Sequence, residues 1–217
     1  MNVLLLGATG RTGKYVLEYL LNNGHTINVI VRDKNKIGNT SDRLQIFEAD
    51  ITIENLLKAT NGCEAIISVL NISRTSDFPW AKLRTPKDFL SETMKNILQI
   101  SKELKIKKLI VCSAWGVHET KKEIPGWFRW VINNSNVGLA YKDHERQENF
   151  LRNSELNYTI VRPAGLTNSV KEKEILISQN NIPKPKLTIS RKNTARFMVE
   201  LLEDTSYSRQ AVTISSK

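Results

Sequence analysis

The chain has 217 residues, of which 40% are hydrophobic and 25% are charged, a composition typical of globular proteins. No apolar run approaches the roughly 18–20 residues of a membrane helix. The N-terminal MNVLLLGATG also lacks the basic segment and longer apolar stretch of a signal peptide. We therefore expect a cytoplasmic protein without membrane association, in which Cys63 and Cys112 are free thiols.

The formal net charge is +10, from 32 basic and 22 acidic residues. The basic residues are scattered along the chain and are not interleaved with aromatic residues, so a nucleic-acid partner is not expected. Solvated basic faces account for the charge, and the resulting field would help to attract a phosphorylated ligand.

Short apolar runs alternate with helical patterns along the chain. Runs rich in Ile, Leu and Val predict strands at residues 3–6, 27–31, 44–47, 65–70, 109–112 and 158–161. Helical patterns cover residues 14–22, 53–60, 87–104, 141–153 and 194–203, and two late runs, 186–189 and 211–214, are candidate short strands beyond the main sheet. This order predicts an α/β fold with a Rossmann-type, doubly wound parallel sheet. Because no long linker interrupts it, we expect residues 1–217 to form a single domain with a small C-terminal substrate-side region.

The first predicted strand leads into GATGRTG, in which glycines recur every three residues. A glycine turn between a strand and a helix lets backbone N–H groups and the helix N-terminus face a pyrophosphate. The spacing here is G-x-x-G-x-x-G rather than the more common G-x-G-x-x-G, and a purely structural turn is the alternative. The predicted dinucleotide contacts are Gly7, Ala8, Thr9, Gly10, Arg11, Thr12 and Gly13.

The second predicted strand ends in VRD, about 20 residues beyond Gly13, where dinucleotide-binding folds contact the adenosine ribose. Arg32 stands there, with Asp33 next to it. A guanidinium suits a 2′-phosphate, whereas a carboxylate at the same place would repel one. We therefore favour NADP(H) over NAD(H) as the cofactor. The alternatives are that Asp33 binds the ribose or that Arg32 is only a surface charge.

The ends of the next two predicted strands supply further candidate cofactor contacts. EADIT, after the third strand, is expected near the adenine, although its aspartate has an alternative role as the cap of the following helix. SVLN, at the end of the fourth strand, is expected to border the cofactor. These segments contribute Asp50, Ile51, Val69, Leu70 and Asn71.

The segments GATGRTG, VRD, EADI, VCSAWG, LRNSELNYTIVRPAGL and LTISRKNTARFMVELLED span almost the whole chain. Together they resemble the atypical short-chain dehydrogenase/reductases, in the NAD(P)-binding group that includes NmrA-type proteins. Within this group, GATGRTG and YKDHERQENFLRNSELNYTIVRP are most similar to the flavin reductase/biliverdin-IX-beta reductase branch and to bacterial NADH-flavin reductase-like proteins. The resemblance implies the Rossmann fold and an NAD(P) cofactor, and it is much less specific for the substrate.

The resemblance also implies catalytic residues. Ser113 in VCSAWG matches the family's active-site serine, although it is alternatively a plain strand-end cap. Typical short-chain enzymes carry Tyr-x-x-x-Lys on the next helix, but here Ala140 occupies the tyrosine slot and His144 the lysine slot, with Tyr141 one residue out of register. The reductase branch also lacks that pair, so Ser113 and His144 remain the candidate catalytic residues. His144 would supply a proton or a hydrogen bond, or it is merely structural.

Two later segments complete the predicted site. By resemblance, VRPAGL passes the nicotinamide carboxamide and places Pro163, Ala164 and Gly165 beside the cofactor. The tryptophan-rich segment after Ser113 follows a strand end, where loops border the ligand crevice. Trp115 and Trp127 are the candidate substrate contacts, because aromatic rings can stack on a flat acceptor. The alternative is that Trp127 and Trp130 form one apolar face of a short packed helix.

Taken together, the residues and the resemblance predict an NADPH-dependent oxidoreductase that passes hydride to a planar acceptor such as a flavin or quinone. The alternative, favoured by the missing tyrosine–lysine pair, is a non-catalytic NmrA-like protein that senses NADP(H) and regulates a partner. We expect a monomer or homodimer and no metal site.

Overall fold

The computed structural model describes residues 1–38, 40–101 and 103–217. Its strands are β1 (Asn2–Leu6), β2 (Thr26–Val31), β3 (Leu44–Glu48), β4 (Ala65–Ser68), β5 (Lys108–Cys112), β6 (Tyr158–Pro163), β7 (Gly165–Thr167), β8 (Ile175–Ser178), β9 (Thr188–Ser190) and β10 (Gln210–Ser216). Its α-helices are α1 (Gly13–Asn22), α2 (Ile53–Thr60), α3 (Phe89–Ser101), α4 (Gly126–Asn134), α5 (Val137–Arg152) and α6 (Arg191–Glu200).

The main sheet has the strand order β3-β2-β1-β4-β5-β6-β10-β8. All neighbouring strands are parallel except β10 and β8, which pair antiparallel. The chain reverses direction across the sheet between β1 and β4, which is the topological switch point where ligands bind in open α/β sheets. The predicted Rossmann-type fold is therefore confirmed.

Helices cover both faces of the sheet, which is why its central strands are apolar on both sides. Helices α1 and α6 pack together on one face, whereas α3 packs between α2 and α5 on the other. Successive β1 residues enter opposite cores: Leu5 joins the α1 and α6 side, and Leu4 joins the α2 and α3 side. Among the described helices, none combines the length and apolar character needed to cross a bilayer.

Several predicted boundaries differ from the structure. The strand predicted at 65–70 ends at Ser68, and the helix predicted at 87–104 spans Phe89–Ser101. Helix α5 begins at Val137 rather than at residue 141. Its early glycine is the reason for the discrepancy: Gly138 weakens the helical pattern, but a Cβ there would lie 2.2 Å from the backbone oxygen of Ile132 in α4. A glycine is needed at this position because the two helices meet closely.

The C-terminal third also departs from the predicted pattern. The run at 211–214 is not a strand beyond the main sheet: it belongs to β10, which is inserted between β6 and β8. The run at 186–189 corresponds to β9, which pairs with β7 in a separate two-stranded sheet. Strands β7 and β8 were not predicted, because they are short and lie in segments without a regular apolar period. Helix α4 corresponds to the short helix that was the alternative interpretation of Trp127 and Trp130.

Candidate functional site

The glycine-rich turn joins β1 to α1 at the switch point. Gly7 has φ +89°, and a Cβ there would lie 3.1 Å from the backbone carbon and oxygen of Val69, at the end of β4. A Cβ on Gly13 would lie only 2.0 Å from the backbone oxygen of Gly7. These two glycines are therefore required by the packing of the turn itself.

The start of α1 presents unused donors. Among the described residues, the backbone N–H groups of Arg11, Thr12 and Gly13 have no protein acceptor, whereas that of Gly10 donates to the oxygen of Gly7 at 2.9 Å. The first turn of α1 contains no acidic residue, and the Thr12 side chain does not cap the helix. Unpaired N–H groups and the positive end of a helix dipole favour an anion, so the turn fits a pyrophosphate.

A hairpin after β4 reaches back to this turn. Residues 73–84 form it through two backbone hydrogen bonds, from Thr75 to Lys82 at 2.9 Å and from Arg84 to Ser73 at 2.8 Å. At its tip, the carboxylate of Asp77 accepts two hydrogen bonds from the Arg11 guanidinium, at 2.8 and 2.9 Å. The Arg11 guanidinium holds the pKa of Asp77 below its usual value, with smaller contributions from the charges of Arg191 and Arg74. No helix or strand was predicted for residues 73–84.

The two candidate ribose contacts at the end of β2 have different surroundings. Asp33 caps a short 3-10 helix, because its Oδ1 accepts from the backbone N–H of Asn35 at 3.1 Å, and its Oδ2 lies 3.5 Å from the Lys36 ammonium. Arg32 is exposed, and no hydrogen bond or ion pair involves its side chain within the described ranges. The guanidinium is thus free to meet a ligand, while the neighbouring carboxylate is engaged within its own turn.

The next strand ends lie along the same edge of the sheet. Asp50 is exposed and does not cap α2; Thr52 does, its hydroxyl accepting from Asn55 at 3.3 Å. Ile51, Val69 and Leu70 are half-buried, and Asn71 is exposed. The alternative role of Asp50 as a helix cap is therefore wrong, and its carboxylate remains at the surface.

Ser113 follows β5 and has a buried ionic neighbour. Its hydroxyl donates to Oε1 of Glu148 on α5 at 2.6 Å, and the Arg162 guanidinium on β6 donates to both oxygens of the same carboxylate. Exposed fractions are 4% for Ser113, 0% for Glu148 and 2% for Arg162. Arg162 also donates to Glu119 at 2.7 Å. Because Glu148 lies on the helix and Arg162 on a strand, only the fold brings them together, and the sequence does not identify either residue as the partner of the other.

His144 lies one helical turn before Glu148 and is 3% exposed. Its Nδ1 is 3.5 Å from the side-chain amide of Gln147. Burial lowers the pKa of His144 to about 4, although the negative charges of Glu148 and Asp143 act in the opposite direction. At neutral pH the ring is therefore uncharged, which leaves hydrogen bonding rather than proton donation as the contribution open to it.

The segment after β6 is engaged with neighbouring strands. The N–H groups of Ala164 and Gly165 donate to Ile214 and Leu187, both at 2.9 Å, and the oxygen of Pro163 accepts from Trp115 at 3.0 Å. A Cβ on Gly165 would lie 2.9 Å from the oxygen of Leu187. The close approach that requires this glycine is thus to the chain beside β9, and its N–H is not available to a cofactor.

The aromatic residues separate into a buried ring and an exposed group. Trp115 is 5% exposed and belongs to the core on the α1 and α6 side, so stacking on an acceptor would require it to move. Trp127 and Trp130, on α4, are 68% and 58% exposed, so they do not form a packed apolar face. Trp130 meets Trp80 of the hairpin edge-on, with ring centroids 6.4 Å apart, and Trp80 lies 5.3 Å from Phe78.

The hairpin is also hydrogen-bonded to the end of α4. The Trp80 indole N–H donates to the backbone oxygen of Asn134 at 2.8 Å, and the Asn136 amide donates to the oxygen of Trp80 at 2.9 Å. One segment therefore joins the glycine-rich turn, through Asp77, to the exposed aromatic residues. In the part of the chain that the structure describes, no three His, Cys, Asp or Glu residues converge as a metal site would require.

The chain is similar in sequence to known proteins. A protein-family model described as NAD(P)H-binding matches residues 7–205. A chloroplast protein of Arabidopsis thaliana described as uncharacterized is 26% identical, over 94% of this chain and 74% of its own length.

Solved structures have the same architecture. A short-chain dehydrogenase/reductase of Veillonella parvula in complex with NADP has a TM-score of 0.80 at 18% identity, covering 99% of this chain and 94% of that one. The anaerobilin reductase of Escherichia coli O157:H7 has a TM-score of 0.80 at 18% identity, with coverage of 100% and 97%. A candidate NADH-flavin reductase of Streptococcus pneumoniae has a TM-score of 0.72 at 20% identity and covers both chains fully. At these identities the comparisons establish a shared fold.

Proposed function

Because the chain belongs to the NAD(P)H-binding family, we propose that it is an NADPH-dependent reductase that passes hydride to a planar acceptor such as a flavin, a quinone or a tetrapyrrole. The observation that carries the proposal is the set of unpaired N–H groups of Arg11, Thr12 and Gly13 at the start of α1. They offer an anion site at the switch point of the sheet, where a dinucleotide crosses in this fold. Bound NADPH would supply the hydride, since the cofactor carries the redox chemistry.

The preference for the phosphorylated cofactor rests on the end of β2. The free guanidinium of Arg32 would pair with the 2′-phosphate, and the carboxylate of Asp33 is already engaged with Asn35 and Lys36. A guanidinium is well suited to a phosphate, because it combines charge with several donors. The crystal structure of the Veillonella relative with NADP is consistent with this choice.

The cofactor would extend along the strand ends from β3 to β6. In this proposal the adenosine end contacts Asp50 and Ile51, and the nicotinamide end lies near Ser113. Its path is flanked by two segments, one formed by Val69, Leu70 and Asn71 and the other by Pro163, Ala164 and Gly165. Residues 165–190 form the substrate-side region of a single domain.

The planar acceptor is proposed from the aromatic residues near that end. Trp127 and Trp130 are exposed on α4, and the Trp130 ring meets Trp80, which lies beside Phe78 in the hairpin after β4. Flat conjugated molecules stack on such rings. Two proteins with the same fold are described as a reductase of anaerobilin and a candidate reductase of flavin.

A second function, NADP(H) sensing without turnover, is favoured by the missing proton donor. Ala140 replaces the tyrosine of typical short-chain enzymes, and burial keeps His144 uncharged at neutral pH. Such a protein would bind the cofactor and regulate a partner.

The experiment measures binding and turnover separately. Titration calorimetry with NADPH should give saturable binding, and NADPH absorbance at 340 nm should fall with FMN, menadione or biliverdin. Binding without turnover across the panel would support the sensor, and the absence of binding to any pyridine dinucleotide would refute both functions.

A further inference from the structure

The proton of the Ser113 hydroxyl is already committed within the protein. It lies on a 2.6 Å hydrogen bond to Oε1 of Glu148, whose side chain is 0% exposed. A hydroxyl has one donor and two acceptor lone pairs, so once the donor is used only acceptor capacity remains.

Glu148 cannot readily exchange roles with Ser113. The Nε and Nη2 groups of Arg162 both donate to the Glu148 carboxylate, Nε at 3.0 Å to the same oxygen that accepts from Ser113. A guanidinium has only donors, and its charge favours the ionised carboxylate. The carboxylate therefore acts as an acceptor on both oxygens, and Ser113 must be the donor in their hydrogen bond.

No other described group restores a proton to this pair. His118 Nε2 is 4.0 Å from Oε2 of Glu148, beyond hydrogen-bond length, and it lies 3.1 Å from the backbone oxygen of Glu145. Arg152 lies 3.7 Å from Oε2 of Glu148 and, like Arg162, offers only donors to the carboxylate. The groups around Glu148 hold the hydroxyl in place and do not form a proton route from solvent.

We propose that Glu148 is a positioning residue that makes Ser113 a hydrogen-bond acceptor for the carboxamide N–H₂ of the nicotinamide. The inference rests on the proposed function and assigns to Ser113 a role opposite to that of a proton donor. Ser113 lies at the end of β5, two strands from the glycine-rich turn, where the nicotinamide end of a dinucleotide arrives. Ser113 then orients the ring and gives no proton to the acceptor.

The test compares NADP⁺ with its 3-acetylpyridine analogue, which keeps the carbonyl but lacks the N–H₂ donor. Calorimetry should show that Ser113→Ala weakens NADP⁺ binding about tenfold, the size of one neutral hydrogen bond. The analogue should bind the wild type and Ser113→Ala within about twofold of each other. Cys112→Ala, at the preceding residue, is the matched control and should leave both affinities unchanged.

Two further measurements separate positioning from packing. Glu148→Gln should selectively weaken NADP⁺ relative to the analogue, and thermal unfolding of each variant checks that the fold persists. At saturating NADPH, kcat of Ser113→Ala should fall by less than about fivefold.

Equal losses of affinity for both dinucleotides, or a 100-fold loss of kcat with unchanged affinity, would overturn the inference. If the wild type binds neither dinucleotide, the proposed function itself fails. Binding without discrimination removes only the role assigned to Ser113 and Glu148.

Discussion

Arg11 and Asp77 join the glycine-rich turn to the 73–84 hairpin by two parallel hydrogen bonds of 2.8 and 2.9 Å. Both side chains are exposed, at 58% and 78%. The pair brings a negative charge to the turn that carries the donors proposed for a pyrophosphate, so in the proposed complex the carboxylate and the cofactor would compete for the same guanidinium.

Removing that carboxylate is expected to strengthen cofactor binding. Asp77→Asn should lower the Kd for NADPH about two- to fivefold at low salt, because an exposed pair contributes less than about 1 kcal/mol. The gain should shrink in 0.5 M NaCl, where charges are screened. Fluorescence titration of NADPH measures the Kd at both salt concentrations. Weaker binding by Asp77→Asn would indicate that the ion pair holds the site in its binding shape.

Arg32 should discriminate between the two cofactors. Arg32→Ala is expected to weaken NADPH binding by about 1.5–3 kcal/mol, the range for a charge-assisted hydrogen bond, and to change NADH binding little. Lys34→Ala, which removes a nearby cation paired with Glu48, is the control for general charge. Equal losses for NADPH and NADH in Arg32→Ala would contradict a contact with the 2′-phosphate.

The pair between Glu148 and Arg162 should dominate the response of the fold to mutation. Glu148→Ala leaves a guanidinium that is 2% exposed without its main partner, and we expect a loss of about 3–5 kcal/mol in the free energy of unfolding. Urea denaturation measures it. Adding Arg162→Met should recover much of the loss, and a double variant no more stable than Glu148→Ala would argue against an unpaired charge as the cause.

Glu119 should make stability depend on acid pH. Burial alone would raise its pKa, but hydrogen bonds and charges from Arg162 and Arg152 lower it to about 2. The pKa of Glu119 in the folded protein lies below the unfolded value of about 4.3. The stabilisation that ionised Glu119 contributes is therefore complete above about pH 4.3. It is lost as the pH falls toward 2.

The measurement is a series of urea denaturations between pH 2 and 7. Glu119→Gln should be less stable than the wild type at pH 7 by about 1 kcal/mol, a value reduced for solvent exposure. Its stability should fall less steeply with acid. Parallel curves for the two proteins would show that another carboxylate controls the transition.

Two glycine substitutions should have opposite effects. Gly13→Ala places a Cβ 2.0 Å from the backbone oxygen of Gly7, so we expect lower thermal stability and loss of NADPH binding. Gly126→Ala, at the first residue of α4, meets nothing within 4 Å and should be neutral or stabilise by up to about 1 kcal/mol. Calorimetry measures the NADPH affinity of the two variants, and thermal unfolding measures their stability. Unaltered NADPH binding by Gly13→Ala would contradict the proposed turn geometry.

The fold was largely predictable because apolar strands and helical periods alternate. The sequence also indicated which residues lie at strand ends, since Gly7, Arg32 and Ser113 each follow an apolar run. It did not reveal the partners of those residues. Glu148 is one more charge on a polar helix, and the sequence leaves open whether Arg162 meets the edge of the core or a carboxylate. Their pairing depends on tertiary packing between α5 and β6.

Residues with no local signal were also missed. The 73–84 hairpin contains Phe78 and Trp80 but no regular alternation, and its contacts with Arg11 and Asn134 are distant in sequence. Gly165 differs from these residues, because the sequence did single it out but did not identify its neighbour. A glycine permits another group to approach closely, but only the structure identifies that group as the backbone oxygen of Leu187.

The position of β10 has a consequence for biosynthesis. Strands β1 to β5 pair within residues 2–112, whereas β6 gains its outer neighbour only from residues 210–216. On the ribosome, β6 therefore waits as an open edge while about 45 further residues are translated, and open edges invite pairing with foreign chains. Strands β1 to β5 can pair early, although α1 gains its packing partner α6 only when residues 191–200 have been made. Until β10 follows, the nascent β6 is the edge that a chaperone would protect.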